Sequence, residues 1–413
     1  MAAKVHPSGD FEAAQTEPPC KNPDIPAKNR AHCDFYWTAW QKIAKVMGAS
    51  SSLWPGDRWG PAKPMPLFFS GRIGCQTADM NRCNREGKMK KWFVVTVAAA
   101  FLFLSGTATA GLKIKLGVVT KPGSAQNIAA EKFKELIEKR SDGGIAVQIF
   151  HSASLGNETE ILQQVQMGTI QMAIVTGGPF DTFDPIARVI NYPFLFKDNE
   201  QADKILDGPI GAEILSSLES SGFKGLCFSE NGFRNLTNNK RPVHGPADVK
   251  GLKIRVMASA IHKAIWQALG ANPTPMPWPI YTELEQGVID GQENPLWVME
   301  VYKFYEIQKY MTLTRHVYSY HIDVASLAWW NGLDSQTQTM IQKAMYDAAV
   351  YQRKENRSKD AARLQFLKDK GMQVVENPDL DAFRAKVADL KNMELYADPK
   401  VHAMLVKILA ATK

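Results

Sequence analysis

The decapeptide VIDGQENPLW, residues 288–297, places Asp290, Gln292, Glu293 and Asn294 within five positions and closes on Pro295 and Trp297. Asn294 offers a carbonyl that accepts and an amide nitrogen that donates twice, so it can meet a carboxylate, a hydroxyl or a ketone. Pro295 biases it toward extended backbone and narrows the directions in which that amide points. The competing role for Asn294 is to cap a helix that starts at Pro295. Asp290, Gln292 and Glu293 read as structural hydrogen-bonding residues. Trp297, and Trp278 in GANPTPMPW (270–278), each supply a flat apolar wall and one N–H donor, the dress of a small-molecule cleft; either side chain could equally fill a core. In LKIRV (252–256), Leu252, Ile254 and Val256 take one side of a strand and Lys253 and Arg255 the other. The arginine fork matches a carboxylate two bonds at a time and keeps its charge at any working pH, although an arginine so placed is often only solvated or ion-paired. Thr176 follows the strand MAIV (172–175), at the carboxyl end where α/β clefts open. This is binding chemistry. No Gly-x-Ser-x-Gly elbow, His-Glu-x-x-His pair or Gly-x-x-x-x-Gly-Lys phosphate loop occurs in the chain. His316 and His321 stand five apart without an obvious carboxylate partner and read as surface or internally satisfied histidines rather than a metal pair. No catalytic group, metal or cofactor is expected.

The elements that must position these residues alternate. LKIKLGVV (112–119) has strand alternation, AQNIAAEKFKELIEKR (125–140) sets Ile128, Ala129, Phe133, Leu136 and Ile137 at helical spacing, and Asp142-Gly143-Gly144 ends it. IAVQIF (145–150), a helix over 158–167 and MAIV follow, an opening that predicts a mostly parallel sheet flanked by helices. A similar set begins after residue 222 with GLCFSE, GLKIRV, a helix over 258–269 and another over 281–288, so two α/β lobes fit better than one large sheet. Residues 333–367 hold neither proline nor glycine and read as one helix, about 50 Å long at 1.5 Å per residue and laid across both lobes. Shorter helices are expected over 379–391 and 399–411.

Charge is unevenly spread along the 413 residues. Residues 1–110 hold 14 Lys or Arg against 8 Asp or Glu, whereas residues 111–413 hold 35 against 34. The body of the protein is nearly neutral, which argues against nucleic-acid or membrane-surface binding. MKKWFVVTVAAAFLFLSGTATA (89–110) has a basic start at Lys90 and Lys91, an apolar run of about thirteen residues from Trp92 to Leu104, and the small-residue site Ala108-Thr109-Ala110. It reads as a secretory signal peptide cleaved near Ala110, with a retained anchor second because membrane spanning takes about 18 residues or more. Residues 1–88 carry Cys20, Cys33, Cys75 and Cys83 without periodicity, and are read as a non-native or disordered extension upstream of a start at Met89. Cys227 is left alone in the remainder as a small buried core residue, and no cysteine follows the cleavage site to take a lipid.

Four strings in order carry a resemblance: GFRNLTNNKRPV (232–243), ADVKGLKIRV (247–256), GANPTPMPW (270–278) and GVIDGQENPL (287–296). Together with LGNETEILQQVQMGTI and YPFLF, they make residues 111–413 resemble the extracytoplasmic solute-binding subunit of tripartite ATP-independent periplasmic (TRAP) transporters, the dicarboxylate-binding protein family. The resemblance implies a two-lobe α/β periplasmic binding protein with a hinge and an interlobe cleft. Lobe I would comprise 111–231 plus about 320–359, and lobe II 232–319 plus about 360–413. It implies a monomer that closes on a small organic anion and delivers it to a sodium-driven membrane permease. A sensor module docking on a membrane receptor is the alternative. Arg255 would receive a carboxylate, with Arg234 and Asn294 reaching the same ligand and Trp278 lying over it. Some sialic-acid-binding relatives are acidic at the position of Thr176, so its hydroxyl argues against that ligand class. The segment between Trp278 and Tyr281 is one residue shorter than the family pattern, and the loop after Arg234 one longer than in some relatives; both border the expected cleft.

Overall fold

The structure, a computed structural model, describes residues 111–413. The leader at 89–110, the stretch before it and its four cysteines lie outside the described residues. No described helix is long and apolar enough to cross a membrane.

Eleven strands are described: β1 (Leu112–Gly117), β2 (Ile145–Phe150), β3 (Met172–Thr176), β4 (Phe223–Phe233), β5 (Asn235–Asn238), β6 (Lys253–Val256), β7 (Asn272–Pro275), β8 (Gly291–Asn294), β9 (Tyr310–Thr312), β10 (Tyr318–Ser326) and β11 (Gln373–Val375). They form a five-stranded sheet in the order β2-β1-β3-β10-β4 and a six-stranded sheet in the order β11-β9-β5-β8-β6-β7. The opening is as the periodicity predicts, with β1 parallel to β2 and β3 around the helices Ala125–Arg140 and Glu158–Gln166. The sheet is nevertheless mixed rather than mostly parallel, because β10 pairs antiparallel with both β3 and β4. The reason is topological. β4 carries the chain out to the second sheet and β10 brings it back, so the two must run in opposite directions.

Arg234 alone separates the end of β4 from the start of β5, and its amide donates to Val317 O at 2.9 Å, tying the outgoing crossing to the returning one. In the second sheet β6 is parallel to β7 and β8, while β5 is antiparallel to β8 and β9.

The expected single long helix is two helices, Ser335–Ser358 and Asp360–Asp369. The Asn356 carbonyl accepts the Lys359 amide at 3.3 Å and Arg363 Nη1 at 2.8 Å, and Nη1 also takes Asn356 Oδ1 at 2.7 Å. A guanidinium therefore sits where the α-helical ladder would continue, and the helix breaks without proline or glycine. The first helix packs Ile341, Ala344, Met345 and Ala348 with Phe133 and Ile137 over the first sheet. The second sets Leu367 among Trp297, Phe304 and Met311 of the second sheet's layer. The helix expected over 281–288 stops at Glu285. The last helix, Pro399–Ala411, was expected with the second lobe; it is laid back against the first, where Tyr192 meets Tyr396 edge to face and Gln201 Nε2 donates to Thr412 O at 2.9 Å. The core runs continuously from Ile161 and Val175 in the first layer to Ile254 and Trp266 in the second.

Candidate ligand-binding site

The cleft is built from strand ends. Residues just beyond β1, β2 and β3 form its first wall: Thr120, Gln126 at the start of the first helix, Glu158 opening the next helix behind its cap Asn157, and Thr176. These are the carboxyl ends of three parallel strands, where such clefts form. The opposite wall comes from the second sheet, with Arg255 on β6, Asn294 ending β8, Trp297 and Val298 in the helix Leu296–Val301, and Trp278 beyond β7. Arg234 and Asn231 at the crossing and His321 on β10 close the back. The cavity volume is about 40 Å³.

The six residues expected from the sequence to meet a ligand line this one cleft: Thr176, Arg234, Arg255, Trp278, Asn294 and Trp297. Arg255 is only 4% exposed. Its Nε and Nη2 converge on the Met276 carbonyl at 3.0 and 2.6 Å, its guanidinium lies 5.7 Å from the Trp278 ring centre, and Nη1 bonds no group among the described residues. No carboxylate among the described residues lies in salt-bridge range of it. Burial, and then the charge of Arg234, lower its pKa to about 10, so it is a cation at neutral pH. An uncompensated cation in a nearly closed cavity is a site for an anion.

Arg234, by contrast, is already paired. Its Nε and Nη2 grip the Glu293 carboxylate, with the Nη2–Oε1 contact at 2.8 Å, and both side chains are buried. Glu293 is held well below the usual carboxylate range: burial opposes ionisation, and the Arg234 charge with hydrogen bonds from His262 and His316 overcomes it. The expectation that His316 lacks a carboxylate partner is thus corrected, since its Nε2 is 3.0 Å from Glu293 Oε2. No group of metal-ligating side chains occurs among the described residues.

Asn294 caps nothing. The helix after it has Pro295 at its cap position and no side-chain cap bond. Asn294 Nδ2 donates to Gln292 Oε1 at 2.6 Å, and Gln292 Nε2 donates to Thr237 Oγ1 at 2.8 Å, a chain that fixes the amide while Asn294 Oδ1 has no donor among the described residues. Trp297 spends its N–H on Asn231, 2.8 Å to O and 3.1 Å to Oδ1, which leaves its ring as wall. Trp278, joined to Pro279 by a cis peptide bond, packs edge-on against Tyr302 at 4.6 Å between centroids. Asp290 is structural, accepting the Lys253 amide at 2.9 Å.

Sequence reasoning missed Glu158. Its Oε1 accepts from Thr176 Oγ1 at 2.6 Å, Thr176 N at 2.8 Å and Gln126 Nε2 at 3.0 Å, while Oε2 bonds no group among the described residues. The strand-end rule that picked Thr176 would have found Glu158 and Thr120 too, had it been applied to β1 and β2. His321 and Asn231 carried no such signal, because their place depends on how β4 and β10 cross behind the cleft.

Comparison with known proteins agrees with this geometry. The profile of the bacterial extracellular solute-binding protein family 7 matches residues 116–396. A 2,3-diketo-L-gulonate-binding periplasmic protein of Escherichia coli is 37% identical over 68% of this chain and 88% of its own. A C4-dicarboxylate-binding periplasmic protein of Rhodobacter capsulatus is 34% identical over 67% and 84%. A solved TRAP periplasmic solute-binding protein from Polaromonas, bound to D-erythronate, is 36% identical with a TM-score of 0.69, covering 72% of this chain and 98% of that one. The chain belongs to the bacterial extracellular solute-binding protein family 7, the periplasmic solute-binding subunits of TRAP transporters, which capture small organic acids rather than transform them.

Proposed function

We propose that the ligand is a small aliphatic monocarboxylic acid bearing hydroxyl or keto groups, of the aldonic or ketoaldonic kind. The observation that carries this reading is Arg255, buried, cationic and without a carboxylate, with Nη1 free beside its bonded Nε–Nη2 edge. The ligand carboxylate docks there, Asn294 and Nη1 of Arg234 complete its contacts, and the rings of Trp278 and Trp297 cover its carbon chain. Glu158 on the facing wall, with Gln126 and Thr120, takes up the hydroxyls. The same Glu158 disfavours a second carboxylate, since two like charges in a closed cleft repel strongly. The relatives named for diketogulonate and erythronate support the reading, and the one named for C4-dicarboxylates is the competing case.

Closure of two lobes, 111–231 with about 320–359 and 232–319 with the residues from 360 to the final helix, excludes water and strengthens these contacts. The closed form is handed to the permease. The protein acts as a monomer, exported after cleavage near Ala110.

A thermal-shift panel on purified protein, unfolded and refolded to strip carried ligand, tests the ligand class. Ligand at about a hundred times its Kd adds roughly 2.7 kcal/mol of apparent stability. Stabilisation by aldonic and ketoaldonic acids, and little by succinate or malate, is the expected result. Preference for dicarboxylates would assign Glu158 a different role, and response only to neutral or cationic compounds would make Arg255 structural.

A further inference from the structure

Behind the cleft stands a carboxylate that the binding contacts above leave unused. Asp323 and His321 are two apart on β10 and so share a face of the sheet. Across the ladder they lie opposite Cys227 and Ser229 of β4. Ser229 Oγ is 2.8 Å from Asp323 Oδ1 and 3.3 Å from His321 Nδ1, and Cys227 Sγ is 3.3 Å from Asp323 Oδ2. His321 lines the cleft, and its Nε2 bonds no group among the described residues.

Among the described residues no salt bridge reaches Asp323. The cation that bears on it is Arg353 of the helix Ser335–Ser358, already held by Asp203 and Asp207 at 3.0 and 2.7 Å. Strand β3 presents Ile174 opposite it, and the helix Ala125–Arg140 brings apolar Ala129 and Phe133 to this layer. The charged group that bears on His321 is Arg234.

Proton counting fixes the rest. Ser229 has one hydroxyl proton. When Asp323 is ionised it accepts that proton, so Ser229 Oγ must accept from His321 Nδ1–H, and Nε2 faces the cleft as a lone pair. When Asp323 is protonated it donates to Ser229, oxygen being a better acceptor than the Cys227 sulfur; Ser229 then donates to Nδ1, and Nε2 carries the hydrogen into the cleft.

We propose that Asp323, acting through Ser229, sets whether the cleft-facing nitrogen of His321 accepts or donates, and thereby makes His321 the residue that discriminates ligand hydroxyl from ligand ketone. This deepens the organic-acid reading and rests on it. A hydroxyl serves either sense, because it both donates and accepts. A ketone only accepts, and binds well only to Nε2–H. Burial raises the Asp323 carboxyl to about 7 and lowers the His321 imidazole to about 3, so the ring stays neutral while Asp323 changes state near physiological pH.

Two measurements test it. On ligand-free protein labelled with nitrogen-15 in histidine, the His321 tautomer is followed from about pH 5.5 to about pH 8.5, a range that spans neutral pH. Nε2–H at the low end giving way to Nδ1–H at the high end is expected, and Ser229→Ala is expected to uncouple the tautomer from pH. By calorimetry, the affinity for 2-keto-D-gluconate relative to D-gluconate should fall about tenfold over the same range, and Ser229→Ala should flatten the ratio. A single wild-type tautomer throughout, or a ratio whose slope survives Ser229→Ala, overturns the relay. The tautomer arm needs no ligand, so failure of both acids to bind would sink the ligand assignment and the selectivity while the relay is still decided.

Discussion

Arg255 and Asp323 are both buried ionisable groups without a salt bridge among the described residues, and the difference between them separates function from cost. For Arg255 the missing partner is the ligand. Arg255→Ala is expected to lower affinity by two or more orders of magnitude, on the order of 3 kcal/mol, and Arg255→Lys to recover only part of it because an ammonium lacks the planar fork. Calorimetry against the acid found in the thermal screen measures both, and a wild-type Kd in Arg255→Ala would show that the cleft binds its ligand elsewhere. For Asp323 the missing partner is a stability penalty. Its folded-state carboxyl, raised to about 7, holds a proton that the unfolded chain releases near 3.8. Stability therefore falls as pH rises from the unfolded value through the folded one, and the loss is complete above it. Asp323→Asn is expected to raise the melting temperature at about pH 8, by an effect on the order of a few kcal/mol, and to change little at about pH 4. An equal shift at both pH values would mean that the Asp323 carboxyl titrates alike in the native and the unfolded states. Arg255 was legible because alternation in LKIRV sets it off from Leu252, Ile254 and Val256. Asp323 was not, because the strict alternation of YSYHIDV (318–324) assigns Ser319, His321 and Asp323 to a solvent-facing side, whereas both faces of β10 are buried.

At the scale of elements, β8 carries more than its four residues suggest. Glu293 and Asn294 reach the cleft region from it, and Gly291 lets it lie close to β5: a Cβ there would come within 2.1 Å of Thr237 O, a backbone atom that has no room to move. Gly291→Ala is expected to cost several kcal/mol of stability and to weaken binding by displacing Asn294. Denaturant unfolding with calorimetry checks this, and a variant as stable as wild type would mean that the β5–β8 pairing relaxes freely. The first helix and the second strand were readable residue by residue from their periodicity. The broken helix was not, because its interruption comes from Arg363 folding back onto Asn356, and Arg363 is positioned in turn by Glu300, 3.0 Å away on the helix behind the cleft. A side chain held by a distant element overrides a local pattern that has neither proline nor glycine.

For the whole molecule, the governing property is closure. The Lys121 amide donates to Tyr302 Oη at 3.1 Å, joining the loop beyond β1 to the segment after Trp297, and Asp181 Oδ2 accepts from Ser259 Oγ at 2.8 Å and Ala260 N at 2.9 Å. Both contacts join residues of the first layer to residues of the second. Tyr302→Phe removes one such bond and keeps the ring against Trp278, so affinity is expected to fall about fivefold, roughly 1 kcal/mol, with the loss in the dissociation rate. Stopped-flow binding measures it, and a change confined to the association rate would mean that the contact guides encounter rather than holds the closed form.

The sequence by itself determined the class of the protein: alternating elements, a nearly neutral body, and an ordered set of motifs with an arginine, an amide and two tryptophans suited to a carboxylate. Those properties are local, written in periodicity and in residue type. Only the tertiary structure decided which arginine is free and which is spent, because Glu293 neutralises Arg234 across the sheet from β8 and leaves Arg255 alone. It also decided that Glu158 faces the arginines and that Asp323 stands behind His321. Each of these depends on which strand ends meet, and the out-and-back crossing of β4 and β10, with a single residue between the two sheets, settles that through contacts between residues 23 to 94 positions apart.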